Sequence, residues 1–95
     1  MYIIVVATRA KKALRKQRRS GIFHAEKFSI ALACLERGEA LPIGYRDHAL
    51  QGEWQYVRDC HIDGDWLLLY EVEVDAKGNE TVTFHATDNH ENLFG

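Results

Sequence analysis

His48, Asp59, His61 and Asp65 fall within one stretch, DHALQGEWQYVRDCHIDGDWLLLYEV, residues 47–72, and the motif NHENLF near the end adds His90 and Phe94. An imidazole titrates near ~6.5, close to working pH, so it can take or give a proton, and a neighbouring carboxylate can fix its tautomer or stabilise its charged form. Taken singly, each of these histidines reads as a surface or structural residue. Together, at the ends of elements, they are candidates for one cleft doing acid/base work of the kind that cleaves RNA.

Other chemistries find less support. There is no glycine-rich phosphate loop and no G-x-S-x-G nucleophile turn. Cys60 adjoins His61 in sequence, but on a strand it points to the opposite side. His85, Asp88 and His90 match no standard metal-ligand spacing, so neither a metal nor another cofactor is expected.

The elements that must position these groups can be read from patterning. Tyr2 to Ala7 is β-branched and apolar, a buried strand. Thr8 can cap a helix over Arg9 to Arg19, which has only Ala10, Ala13 and Leu14 for a narrow apolar stripe. Ser20-Gly21 breaks it, and a second helix runs from about Phe23 to Arg37, its stripe of Phe28, Ala31, Leu32 and Leu35 facing the core and Gly38 its stop. Gly38 to Gly52 reads as a long loop carrying Arg46, Asp47 and His48, of a length that is often functional. Three strands follow, Glu53–Ile62, Trp66–Val74 and Glu80–Thr87, separated by hairpin signals at Asp63-Gly64 and DAKGN, residues 75–79. The order predicts an α+β fold, with an antiparallel-rich sheet and both helices on one face.

Where Asp65 stands relative to His61 depends on the hairpin. A two-residue loop at Asp63-Gly64 pairs Ile62 with Asp65 and separates carboxylate and imidazole onto opposite faces. A three-residue loop over Ile62 to Gly64 pairs His61 with Asp65 directly. Turn chemistry favours the first and catalysis the second. Phe94 either plugs the C-terminus onto the core or offers a face on which an RNA base stacks.

With 95 residues the chain has room for one domain, 1–95, and one core; 46% hydrophobic and 27% charged residues are ordinary globular proportions. No charge-first leader and no run near ~20 apolar residues is present, so a cytoplasmic protein without membrane contact is expected. Cys34 and Cys60 read as core thiols. The net charge of −2 conceals an asymmetry: Arg9, Lys11, Lys12, Arg15, Lys16, Arg18 and Arg19 crowd a first 20 residues that contain no acid. Such a block is either a solvated helix face or a phosphate-contacting surface, with Arg9, Lys12, Arg15, Lys16 and Arg19 as candidate RNA contacts.

The run Asp47-His48-Ala49-Leu50 with Gly52 and Trp54, then Arg58-Asp59-Cys60-His61-Ile62, Asp65-Trp66-Leu67-Leu68-Leu69-Tyr70, and finally His90 and Leu93-Phe94-Gly95, closely resembles the YafQ-like toxins of the RelE/ParE superfamily. The resemblance implies the RelE-like fold of strand, two helices and three antiparallel strands. It also implies a type II toxin that enters the ribosome, cuts mRNA without a metal and is silenced by a cognate antitoxin, meeting operator DNA only through that antitoxin. It assigns the catalytic cleft to His48, His61, Asp65 and His90, gives Phe94 a substrate contact and places Asp59 in the lining.

Two departures stand out. Ala86 occupies the position, four residues before His90, where the family usually has an arginine to stabilise the phosphate, and His85 beside it would face away on a regular strand. The family is also usually basic, whereas the pI here is about 6.2. The leading expectation is a nuclease of reduced or altered activity. The alternative is a non-catalytic module that binds an antitoxin in a DNA-bound repressor complex; a gyrase-directed relative would not require the histidine set.

Overall fold

The structure is a computed structural model that describes residues 2–20, 25–52, 56–63 and 66–94, with the side chains of Ser20, Asp63, His90 and Glu91 outside the description. The elements are β1 (Ile3–Val6), α1 (Thr8–Ser20), α2 (Ala25–Arg37), a 3-10 turn (Ile43–Tyr45), β2 (His48–Ala49), β3 (Arg58–Asp63), β4 (Trp66–Val74), β5 (Glu80–Asn89) and α3 (His90–Phe94). They form a sheet of order β1-β5-β4-β3-β2, parallel between β1 and β5 and antiparallel elsewhere. Among the described residues no helix is long and apolar enough to cross a membrane.

One sheet face carries the helices, as the patterning predicts. Ala10 of α1 and Ala31 and Leu35 of α2 pack against Cys60, Ile62, Leu68, Tyr70, Val82 and Phe84. Alanines at the contact allow the helices to approach closely, and Phe28 meets Phe84 edge to face with centroids 5.9 Å apart, an arrangement worth ~0.5–1.5 kcal/mol beyond simple burial. β4 lies centrally, which explains why Leu67 to Tyr70 are all buried while Val72 and Val74, where the strand emerges, are exposed.

The other face is covered in part by the C-terminal segment. NHENLF is not a tail: Asn89 ends β5, and α3 folds Leu93 and Phe94 back onto Val57, Leu69 and Ala86, with Leu50 completing the cluster. The segment expected to be one long loop holds the 3-10 turn and β2, and β3 begins at Arg58, later than the predicted Glu53. β5 runs two residues past the predicted Thr87. The predicted start of the second helix near Phe23 lies outside the described residues, as does Trp54.

Gly38 ends α2 as expected. Its φ is +69°, its N–H donates to Leu35 O and the Glu39 N–H donates to Cys34 O, the paired bonds of a Schellman cap. A Cβ there would sit 2.5 Å from Tyr2 Cε1. Gly38→Ala is therefore expected to lose ~1–2 kcal/mol from the left-handed backbone alone, with Tyr2 displaced in addition; urea denaturation measures the loss.

Candidate functional site

The site begins with a fastened loop. Pro42 starts the 3-10 turn, Tyr45 donates its hydroxyl proton to Lys27 O of α2 at 2.7 Å, and Arg46 ends the turn with φ 49° and ψ 41°. Asp47 then anchors to the sheet through Oδ1, which accepts from Tyr70 OH at 2.7 Å and from Arg58 Nε at 3.1 Å. His48 follows in β2, opposite Asp59 of β3. Its Nδ1–H donates to Arg46 O at 2.7 Å, since a carbonyl can only accept, and this leaves Nε2 facing Asp59 Oδ2 at 3.5 Å.

His61 lies two residues beyond Asp59 on the same side of β3, and its ring centroid is 6.4 Å from that of His48. His61 also borders a cavity of about 490 Å3 shared with Lys27 and Ile30 of α2 and Pro42 and Tyr45 of the turn. Asp59, expected to line the site, is only 4% exposed and stands opposite His48. Its Oδ2 faces His48 Nε2.

Neither hairpin register considered from the sequence is adopted. His61 pairs with Leu67 and Asp63 with Trp66, with a bulge between them that leaves Ile62 as the extra residue. Ile62 is 3% exposed in the helix-side core with Cys60. Asp65 lies outside the described residues, and so does the His90 side chain. Trp66, which follows Asp65, pairs with Asn89, which precedes His90.

A second bulge alters the expectation for His85. Leu69 pairs with Ala86 but Tyr70 with Phe84, so His85 is an extra residue of β5. His85 Nε2 lies 3.1 Å from Oε1 of Glu71, two residues from Leu69 and so on the cleft face. Ala86 is 2% exposed, beneath the α3 cluster. Phe94 is half-buried at the edge of that cluster.

Arg9, Lys12, Arg15, Lys16 and Arg19 are all exposed on α1, but they diverge. Arg15 borders a groove with Val6 and Arg18, whereas Lys16 borders a cavity with Trp66, Asp88 and Asn92. Among the described residues no group of three His, Cys, Asp or Glu side chains could hold a metal. Cys34 and Cys60 are free and buried. Burial pushes the Cys60 thiol well above its ordinary 9.0, so iodoacetamide at pH 8 should leave Cys60 unmodified in the folded protein, as peptide mass mapping would show.

Sequence reasoning missed the anchoring by Asp47, whose signal was an acid placed directly before a histidine in a loop. Burial first, and then the bond to Asp47, pushes the Tyr70 hydroxyl above its ordinary 10.0. Stability from this group is fully present below pH about 10, where the unfolded tyrosine begins to ionise, and is lost as the pH rises toward the folded value. Tyr70→Phe should flatten that alkaline loss in denaturation curves taken from pH 8 to 11.

A sheet with two helices on one face is the architecture of solved bacterial YafQ toxins: YafQ of Escherichia coli BL21(DE3) superimposes with a TM-score of 0.85 at 25% identity over the whole of both chains. The YafQ chain of the Escherichia coli DinJ-YafQ toxin-antitoxin complex superimposes with a TM-score of 0.84 at 27% identity, covering 99% of this chain and 98% of that one. More narrowly, the chain belongs to the YafQ family, the bacterial toxins of type II toxin-antitoxin systems, whose profile matches residues 2–95. A YafQ-named protein of Haemophilus influenzae is 39% identical over 64 residues, which are 67% of this chain and 63% of that protein. The mRNA interferase toxin YafQ of E. coli K12 is 40% identical over 55 residues, 58% of this chain and 54% of the relative. The matches thus span less than two thirds of either relative's length.

Proposed function

We propose that this toxin is a ribosome-dependent mRNA endoribonuclease that uses the RNA 2′-hydroxyl as nucleophile. The observation that carries the proposal is the His48 and His61 pair, 6.4 Å apart with the buried Asp59 behind His48. The activity named for the E. coli relative supports it.

In the proposed step a base takes the 2′-hydroxyl proton, the 2′-oxygen bonds to the adjacent phosphorus, and the P–O5′ bond breaks while an acid protonates the departing 5′-oxygen. The products are a 2′,3′-cyclic phosphate and a 5′-hydroxyl. His61 with Asp65 takes the base side and His90 the acid side. His48, its tautomer set by Arg46 O, supports His61 and the phosphate. Phe94 supplies a stacking face at the rim. His85 stands on the right side to help the phosphate in place of a cation at position 86, but Glu71 already engages it, so reduced activity is expected.

The partners follow the same reading: mRNA on the ribosome, a cognate antitoxin as DinJ is for E. coli YafQ, and operator DNA only through that antitoxin. Cytoplasmic action is part of the proposal. The exposed bases of α1 would supply the ribosome contact, because neutralising phosphates releases counterions and makes affinity salt-dependent. Charge reversal of Lys12, Arg15 and Arg19 to Glu should weaken ribosome binding at least about tenfold at low salt and flatten its salt dependence in sedimentation assays.

A second reading, a non-catalytic antitoxin-binding toxin homologue, is favoured by Ala86. Induced expression separates the two: growth arrest that His61→Ala with His90→Ala abolishes supports the nuclease, and arrest that survives both changes, or no arrest, supports the binding module.

A further inference from the structure

The step proposed above gathers negative charge on a phosphate beside two imidazoles, and a permanent cation aimed at that charge would stabilise it. The acid/base groups do not carry one. His48 and His61 are neutral when they accept protons, and Asp59 is an acid. Position 86 is alanine, Arg58 is committed to Asp47, and His85 is engaged by Glu71.

Arg46 stands beside the cleft with its charge uncommitted. It is exposed, and among the described residues its guanidinium makes no hydrogen bond or ion pair. The neighbouring Asp47 is held by Tyr70 and Arg58 instead. Among the described residues Arg46 is also the only one other than glycine with positive φ, 49° with ψ 41°. That left-handed conformation crowds the Cβ of any L-residue, and glycine or asparagine adopts it more readily than arginine. The turn asks only for the backbone, since the Arg46 N–H donates to Ile43 O at 3.0 Å and its carbonyl accepts from His48 Nδ1 at 2.7 Å. Glycine or asparagine would make both bonds with less strain, so neither the turn nor the His48 tautomer accounts for an arginine. Strain of this kind clusters at active sites, where the strained residue has a task.

The reach fits. The 2.7 Å bond sets the Arg46 backbone against the His48 ring, whose centre lies 6.4 Å from that of His61. Three methylenes and a guanidinium are long enough to meet a phosphate lying beside the two rings. We infer that Arg46 is a further catalytic residue, clamping the scissile phosphate from the β2 side of the cleft and supplying the cation that position 86 does not. Its paired N–H donors meet two non-bridging oxygens as the 2′-oxygen attacks. It transfers no proton. The inference rests on the RNA-cleaving reading above.

Three variants test it. Arg46→Gly and Arg46→Asn remove the charge and relieve the backbone, whereas Arg46→Lys keeps both charge and strain. In single-turnover cleavage on programmed ribosomes the first two should be ~10–100-fold slower, short of the ~10²–10³ lost with a buried donor because Arg46 is exposed. Their urea midpoints should not fall below wild type, a combination that a merely structural role would not give, and Arg46→Lys should cleave at an intermediate rate. A wild-type rate in Arg46→Asn, equal losses in Arg46→Lys and Arg46→Asn, or a loss confined to separately measured ribosome affinity would overturn the assignment. A second measurement needs no ribosome: inorganic phosphate is titrated while the ring C–H resonances of His48 and His61 are followed by NMR, and Arg46→Asn should bind it about threefold more weakly, the worth of one exposed ion pair. Phosphate binding that depends on Arg46 in a protein that cuts no RNA would leave the clamp standing and remove the nuclease. Cleavage indifferent to Arg46 would do the reverse.

Discussion

Replacing His61 by alanine is expected to slow mRNA cleavage on programmed ribosomes by ~10²–10⁴-fold, the usual worth of one well-placed proton transfer. Folding should survive, because His61 is only partly buried on the cleft side and substitutions away from the packed core seldom move stability by more than ~0.5 kcal/mol. His90→Ala should fall in the same range. Groups that act on one transition state are not additive, so the double variant should lose much less than the product of the two single losses. Rates from single-turnover cleavage, with ribosome affinity measured separately, would place the loss in the chemical step. An unchanged rate in His61→Ala would remove His61 from the mechanism.

The second large effect is expected at Asp47, which touches no substrate. Its Oδ1 is the acceptor for the hydroxyl of Tyr70, a residue 2% exposed, and for Arg58 Nε. Asp47→Ala leaves a buried hydroxyl without its partner, a loss of ~1–3 kcal/mol. The Arg58 contact adds little, since both side chains are partly solvated. Asp47→Ala should also release the loop that holds Arg46 O against His48, and so depress cleavage as well as stability. Adding Tyr70→Phe removes the orphaned group, and the double variant should recover part of the stability but not the activity. Urea denaturation of the four species closes the cycle, and strict additivity would contradict the pairing.

What could be read from the sequence was local. α2 and its Gly38 stop, the apolar run of β4 and the DAKGN hairpin each carry their own signal: a period of 3.6, a continuous buried strand, a turn composition. The helices' common face followed from element order. The site was legible as a set of residue types and not as a geometry. Ile62 and His85 sit at register shifts that no local residue signal announces. Phe94 looked equally like a plug and a stacking face, and no local signal announces that α3 sets it half-buried beside Leu69 and Ala86. Nothing near Asp59 in the sequence announces that β2 pairs across it and sets His48 opposite.

The central claim is that this chain cuts RNA through the 2′-hydroxyl, and the ends of the cut test it most directly. Messenger RNA cleaved by the purified protein on ribosomes should carry a 2′,3′-cyclic phosphate upstream and a 5′-hydroxyl downstream, and a 2′-deoxynucleotide at the cut position should block cleavage there. A 3′-hydroxyl paired with a 5′-phosphate, or undiminished cutting at the deoxy position, would contradict the account.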